Sequence, residues 1–261
     1  MAKQHDIQIK KKYSQNFLRE QWVIDSMLSN VTLTPGTAVF EIGGGSGFLT
    51  QSILKHDIAR LWVFEIDPEW ADFLDTKFSK NQNFEFKILK ENILDYDFAN
   101  FEQHKPWTLL SNLPYQVTFP ILYLLQKNMH LLKEGVIMVQ EEVGQKLLKT
   151  GGRDYGFTSL YFQYYFDWKM LDKIPPTAFY PAPKVYSRLL YFKPNFNRQE
   201  IPQEDEFWKF VKLCFKQPRR TLKNNLNGTH YNLTPISEET LALRAQQLIM
   251  ADFLEIWDKI K

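Results

Sequence analysis

The sequence predicts an α/β protein, a parallel, doubly wound sheet with helices on both faces, followed by a small all-helical domain, and three observations predict it. Short apolar runs at 38–41, 59–67, 84–91 and 107–112 each end in an acidic or amide residue and alternate with stretches of helical periodicity, the pattern of strands in a parallel sheet. The first run enters a glycine turn, Glu41-Ile-Gly-Gly-Gly-Ser-Gly47, which leads directly into a helical pattern. Beyond residue 203 strand-like runs stop and only helical spacing remains.

Each element has its own local reason. Lys3, Lys10, Lys11 and Lys12 make residues 1–15 a basic arm whose order is expected to depend on a partner. Val23, Ile24, Met27 and Leu28 recur at helical spacing, so a helix is expected over 19–30. The strand into Glu41 follows Pro35-Gly36, and a helix begins at the last glycine of the turn. The second strand ends in Glu65 and Asp67, where Pro68 suits the first turn of the next helix. Strands at 84–89 and 107–111, a helix at 118–130 and a strand at 135–140 complete the alternation.

Aromatic residues then crowd 155–168, which reads as a core helix followed by a strand to about residue 174. Residues 175–183 are too proline-rich for helix or sheet, and a strand is expected at 187–192. Helical periodicity returns at 207–215, 221–226, 241–249 and 253–260. The expected domains are the arm at 1–15, a catalytic domain at 16–193, a linker at 194–202 and a helical domain at 203–261.

Composition narrows the function. The 261 residues carry 32 Lys and Arg against 30 Asp and Glu, but residues 1–172 hold 18 basic and 21 acidic groups, while 173–261 hold 14 and 9. The basic excess therefore lies in the last third. Six of those basic residues fall between Phe207 and Ser237 with no acid among them, which fits a surface facing a polyanion. One cysteine and five scattered histidines give no metal-ligand spacing, so no metal is expected. With no apolar membrane run and no disulfide framework, a cytoplasmic, membrane-free setting is expected.

The glycine turn indicates a small ligand. Gly43, Gly45 and Gly47 form G-x-G-x-G, whereas the dinucleotide fingerprint would need glycine where Phe48 stands. The Glu41 carboxylate beside the turn would repel a phosphate and attract a cation, which points towards S-adenosylmethionine. Glu65 could accept both ribose hydroxyls, and Glu91 the adenine amino group.

Ser111-Asn-Leu-Pro-Tyr115 supplies the chemistry. An exocyclic nucleobase amine has its lone pair delocalised into the ring and must pyramidalise to attack. Two acceptors aimed at its hydrogens, Asn112 Oδ1 and the Leu113 carbonyl, favour that change. Pro114 fixes the loop, and Tyr115 offers a face on which an extruded base can stack.

These segments, with Tyr13-Ser-Gln-Asn-Phe-Leu18, Val63-Phe-Glu-Ile-Asp67, Gln140-Glu-Glu-Val143, residues 175–185 and residues 215–226, make the chain resemble the KsgA family of small-subunit ribosomal RNA adenine dimethyltransferases over nearly its whole length. The resemblance implies a Rossmann-like, class I S-adenosylmethionine-dependent methyltransferase sheet and dimethylation of two adjacent adenines in a hairpin loop near the 3′ end of the RNA. Asn16, Leu18, Glu41, Gly43, Gly45, Glu65, Glu91 and Asn112 would contact the cofactor, and Phe179 would stack on the adenine opposite Tyr115. Lys184, Lys216, Arg219, Arg220 and Lys223 would face the RNA of an immature small subunit, with the protein expected to act as a monomer. Three residues depart from the family pattern: Gly44 replaces a common proline and is expected to loosen the turn, Glu91 replaces the usual Asp, and Pro218 replaces a basic residue. Two alternatives remain at this level, a resistance-type large-subunit rRNA methyltransferase and a non-catalytic RNA-binding assembly or transcription factor on the same fold.

Overall fold

The computed structural model describes residues 3–4, 7–10, 13, 15–79 and 83–260. The chain runs β1 (Lys3–Gln4), β2 (Ile7–Gln8), β3 (Phe17–Leu18), α1 (Gln21–Ser29), β4 (Ala38–Ile42), α2 (Phe48–Ile53), β5 (Arg60–Phe64), α3 (Pro68–Phe78) and β6 (Glu85–Leu89). It continues through β7 (Trp107–Asn112), α4 (Thr118–Lys127), β8 (Leu132–Gln140), α5 (Glu141–Leu147), α6 (Phe157–Tyr165), β9 (Phe166–Ile174), β10 (Phe179–Tyr180) and β11 (Ser187–Pro194), and ends in α7 (Glu204–Cys214), α8 (Leu222–Leu226), α9 (Glu238–Ala242) and α10 (Met250–Ile260).

Seven strands form one sheet in the order β6-β5-β4-β7-β8-β11-β9. The strands β4 to β8 pair in parallel, but β11 runs antiparallel to β8. The sheet is therefore mixed where a parallel one was expected. Side-chain alternation gives it two apolar faces. Val39, Leu61, Val63, Leu110, Val136 and Met138 belong to a buried cluster with Val23, Ile24 and Met27 of α1 and Ile53 of α2. Each buried aliphatic there contributes roughly 1.5–3 kcal/mol. On the other face Phe40, Trp62 and Phe64 meet Phe101 and Trp107 at ring separations of 4.7–6.2 Å.

Contacts divide the chain into two compact units, 1–144 with 167–194, and 145–166 with 195–261. Residues 145–166, expected within the catalytic domain, thus belong with the C-terminal helices. The reason is aromatic packing: Tyr161 and Tyr164 of α6 lie 4.9 and 5.3 Å from the Trp208 ring of α7, and Trp208 Nε1 donates to the Tyr165 hydroxyl at 2.9 Å.

Three local expectations also change. The segment 241–249 is not one helix, because Leu222 N donates to Leu243 O at 2.7 Å and Thr221 bridges Arg244, drawing the chain out straight after α9. The proline-rich segment does contain a strand, since Phe179 and Tyr180, between the prolines, pair with Leu18 and Phe17. In the arm, Lys11 and Lys12 lie outside the described residues, but Lys10 is docked: its Nζ lies 2.6 Å from Asp67 Oδ1 and 2.7 Å from Glu69.

In the C-terminal unit, α7 and α8 are joined by a turn at 215–221 that Asn225 organises from below. Buried Asn225 donates through Nδ2 to the carbonyls of Cys214 (2.8 Å) and Gln217 (3.1 Å), and its Oδ1 accepts from Gln217 N at 3.1 Å. Replacing Asn225 by Ala leaves these buried backbone groups unpaired, and chemical denaturation should show a loss of about 1–3 kcal/mol.

Candidate active site

The strand order reverses between β4 and β7, and in an open α/β sheet the crevice beyond the carboxyl ends at that point receives the ligand. The glycine turn leaves β4 there and Asn112 closes β7 there. Ser111 ties the two strand ends, its buried Oγ donating to Ile42 O at 2.7 Å.

A cavity of about 330 Å³ opens at this crevice. It is lined by all eight residues expected to hold the cofactor, namely Asn16, Leu18, Glu41, Gly43, Gly45, Glu65, Glu91 and Asn112, together with Leu113, Pro114 and Tyr115. They come from segments spread over 100 residues, and only the switch point brings them together.

Within the turn, Gly45 has φ +50° and donates its amide to Glu65 Oε2 at 2.8 Å. A side chain there would be strained in φ and would meet the Phe17 ring at 3.0 Å. Gly44 acts differently. A Cβ at 44 would lie 2.6 Å from Val63 Cγ1 and 2.7 Å from Leu74 Cδ1, so glycine here lets β5 and α3 close on the turn.

The two carboxylates are buried, with different partners. Glu65 is held by two backbone amides, Gly45 N and Asp67 N (2.9 Å). Burial raises its pKa, and these amides oppose the rise. Glu41 is fully buried and accepts only from Thr50 Oγ1, at 2.7 Å, among the bonds described. Burial pushes its pKa up to about 8, the Thr50 bond opposing and Glu65 adding to the rise. This burial runs against the expectation of a fixed negative charge at Glu41: without a cationic partner it favours the protonated form, because one hydroxyl does not replace the lost water.

The Asn-Leu-Pro-Tyr loop is braced from three directions. Asn112 Nδ2 donates to Asn16 O at 3.3 Å, which leaves Oδ1 as the amide's acceptor. Leu113 N donates to Met138 O at 3.1 Å. The Tyr115 hydroxyl lies 2.5 Å from the Oγ of Ser187, a fully buried residue at the start of β11. Burial raises the Tyr115 pKa, and the Ser187 bond works against it. Sequence reasoning missed Ser187, because a serine opening a strand carries no signal of what it faces across 72 residues. It also missed Ile66 and Asn92, which line the cavity beside Glu65 and Glu91.

Phe179, expected opposite Tyr115, lies in the core cluster with Leu18 and Met27, both of which line the cavity. It is buried, with 4% of its surface exposed, in the cluster that holds Val23, Ile24 and Met27, and it is absent from the cavity lining. Its pairing with Leu18 explains this position, since register turns the side chain to the core. Of the residues expected to face RNA, Lys184, Lys216, Arg219 and Arg220 are exposed. Lys223 is exposed too, but its Nζ is paired with Glu238 at 2.9 Å. Among the described residues there is no cluster of three or more His, Cys, Asp or Glu suited to a metal, and no helix is long and apolar enough to cross a membrane.

Comparison with known proteins gives a consistent result. The family model described as ribosomal RNA adenine dimethylase matches residues 6–260. The chain is 32% identical to the ribosomal RNA small subunit methyltransferase A of Chlorobium phaeobacteroides, covering 99% of this chain and 94% of that one. To the protein of the same name from Francisella tularensis it is also 32% identical, over 97% of this chain and 98% of that one. Among solved structures, a dimethyladenosine transferase from Plasmodium falciparum superposes with a TM-score of 0.77 at 18% identity, covering 92% of this chain and 95% of that one. The 23S rRNA methyltransferase ErmE gives 0.69 at 20% identity, over 94% and 99%. At these identities the structures share the fold.

The buried carboxyls set a pH dependence. A folded-state pKa near 8 for Glu41, above its usual 4.5, means that the folded protein holds a proton the unfolded chain has lost, so stability is full below about pH 4.5 and declines as pH rises towards 8. One such group gives a slope approaching about 1.4 kcal/mol per pH unit, and Glu65 acts in the same direction. Urea titrations of the ligand-free protein from pH 5 to 8 should show this decline, and Glu41→Gln should flatten it.

Proposed function

The chain belongs to the ribosomal RNA adenine dimethylase family, and on that premise we propose that it transfers methyl groups from S-adenosylmethionine to the N6 amines of two adjacent adenines in a 3′-end hairpin loop of small-subunit rRNA. It would act as a monomer on the immature subunit in the cytoplasm, dimethylating each base. The observation that carries this reading is the meeting, in one cavity at the sheet's switch point, of the glycine turn with Asn112-Leu-Pro-Tyr115.

The residues present fit the donor. A glycine turn that lets a ligand come close to bare backbone, the Glu65 carboxylate at a strand end and the exposed apolar side chain of Ile66 beside it suit an adenosine with its ribose hydroxyls and flat base. When bound, S-adenosylmethionine supplies an electrophilic methyl on a sulfonium. Cationic charge near Glu41 would favour that group's ionised form, so binding and loss of the Glu41 proton would be linked.

On the acceptor side, Asn112 Oδ1 and the Leu113 carbonyl take the two hydrogens of the adenine amine. They favour a pyramidal nitrogen and carry its growing positive charge. The amine is a neutral nucleophile, so no base must act before attack. The methyl–sulfur bond would break with its electron pair on sulfur, leaving a neutral thioether, and the methylated nitrogen would then lose one proton to solvent, so the second transfer starts from an amine with a single hydrogen. Tyr115 holds the extruded base by its ring, and Ser187 keeps that ring from swinging by fixing its hydroxyl. Loop adenines are already partly unstacked, which lowers the cost of extruding them.

Undermethylated small subunits incubated with labelled cofactor should yield dimethyladenosine, and mapping it should place it in the small-subunit RNA. No product beside a competent control enzyme would sink the reading, and product in large-subunit RNA alone would replace the substrate. Asn112→Ala should lower kcat roughly 100-fold, the scale of losing one charge-stabilising hydrogen bond.

The exposed turn with Lys216, Arg219 and Arg220, shaped by Asn225, is the proposed phosphate-contacting element of the C-terminal unit. Arg219→Ala with Arg220→Ala should lower the slope of log affinity against log salt by about 1.4–1.8, as two phosphate contacts are lost. Lys223→Ala should change the slope less, because Glu238 already neutralises that charge.

A further inference from the structure

The loop from Tyr180 to Tyr186 in the catalytic unit exposes two aromatic rings, each beside a cation, and neither ring belongs to the cavity. Tyr180 is 37% and Tyr186 48% exposed. The Arg19 guanidinium lies 4.2 Å from the Tyr180 ring centre, and Lys173 Nζ lies 4.5 Å from that of Tyr186. Lys184 sits exposed between them. In sequence, residues 173–199 contain five Lys or Arg and no Asp or Glu, although Arg188 is paired with Glu141 and Lys193 with Asp167.

Both ends of this loop are fastened to the active site. Tyr180 pairs in register with Phe17, a cavity-lining residue. Ser187, the residue after Tyr186, holds the hydroxyl of Tyr115. The backbone at both ends of the loop is therefore tied to segments that build the site.

We propose that Tyr180 with Arg19, and Tyr186 with Lys173, form a stacking platform for the single-stranded RNA nucleotides on either side of the adenine in the active site. Extruding a base strips its neighbours of one stacking partner, and an exposed ring replaces that partner without regard to base identity. The adjacent cation meets the same nucleotide's phosphate and adds its own attraction to the ring. A cation laid on an exposed tyrosine suits RNA, which needs both a flat face and a positive charge within one nucleotide's reach. The inference rests on the reading that the cavity takes an extruded adenine.

The test is a fluorescence-anisotropy titration of the full chain against a short hairpin RNA with two adjacent loop adenines, and against the same hairpin with abasic sites flanking them. Tyr180→Ala and Tyr186→Ala should each weaken binding of the intact hairpin roughly tenfold, the order of one lost base–aromatic stack. The corresponding Phe variants should stay within twofold. The abasic hairpin should bind the wild type more weakly than the intact one, while the double Ala variant should no longer distinguish them. Arg19→Gln and Lys173→Gln should each lower the salt slope by about 0.7. Calorimetry with S-adenosylhomocysteine should show cofactor binding unchanged in the Ala variants, which separates a local effect from misfolding. Intact-hairpin affinity within twofold of wild type in the double Ala variant, or no binding of the hairpin by the wild type, overturns the platform. Dimethyladenosine formation by the wild type is scored separately: product with an unaltered double variant removes the platform alone, whereas no product removes the parent reading.

Discussion

The join between β4 and β7 is the constraint on which the rest of the site depends. Two parallel strands lie side by side there while their connections leave to opposite sides of the sheet, so a crevice opens that no helix fills. The Ser111 hydroxyl bonded to Ile42 O holds the two strand ends in register. A glycine turn can then stand opposite an Asn-Leu-Pro-Tyr loop at a fixed separation. The N-terminal segment closes the arrangement: Asn16 O takes the Asn112 amide, Phe17 packs against Gly45 and Trp70, and Lys10 and Gln15 fasten to Asp67. The Lys10 ammonium is held in its charged form first by Asp67 and then by Glu69.

Burial divides the work of the carboxyls around this crevice. Two amides hold Glu65 in place, which suits a group that must present oxygens to a ligand. Among the described residues Glu41 is bonded only by the Thr50 hydroxyl, so burial favours its protonated form. A cationic ligand would supply the missing partner, and the site would thereby favour a sulfonium over a phosphate through desolvation as well as through charge. Glu91 is exposed at the rim, where water screens it.

Exposed cationic elements occur in both compact units. The α7–α8 turn offers exposed Lys216, Arg219 and Arg220, and Asn225 fixes its shape by tying three backbone groups to one buried side chain. The Tyr180–Tyr186 loop offers rings and cations from the catalytic unit. Charge paired internally, as in Lys223 with Glu238 or Arg188 with Glu141, is less available to phosphate than its abundance in the sequence suggests.

The sequence by itself determined the alternation of strands and helices, the glycine turn, the strand-end residues Glu65, Glu91 and Asn112, and the change of texture near residue 203. Each is written in local periodicity or in a residue type that a turn or a reaction demands. Tertiary structure decided what depends on contacts between distant residues. Phe179 is core because its register with Leu18 turns it inward, and the Glu41 pKa is raised because burial outweighs a single hydrogen bond. Residues 145–166 join the C-terminal helices because their rings find Trp208. Ser187 matters because β11 lies where its hydroxyl meets Tyr115. A local pattern encodes which way a chain turns, while burial, register and protonation are properties of the assembled neighbourhood and exist only once the chain has closed on itself.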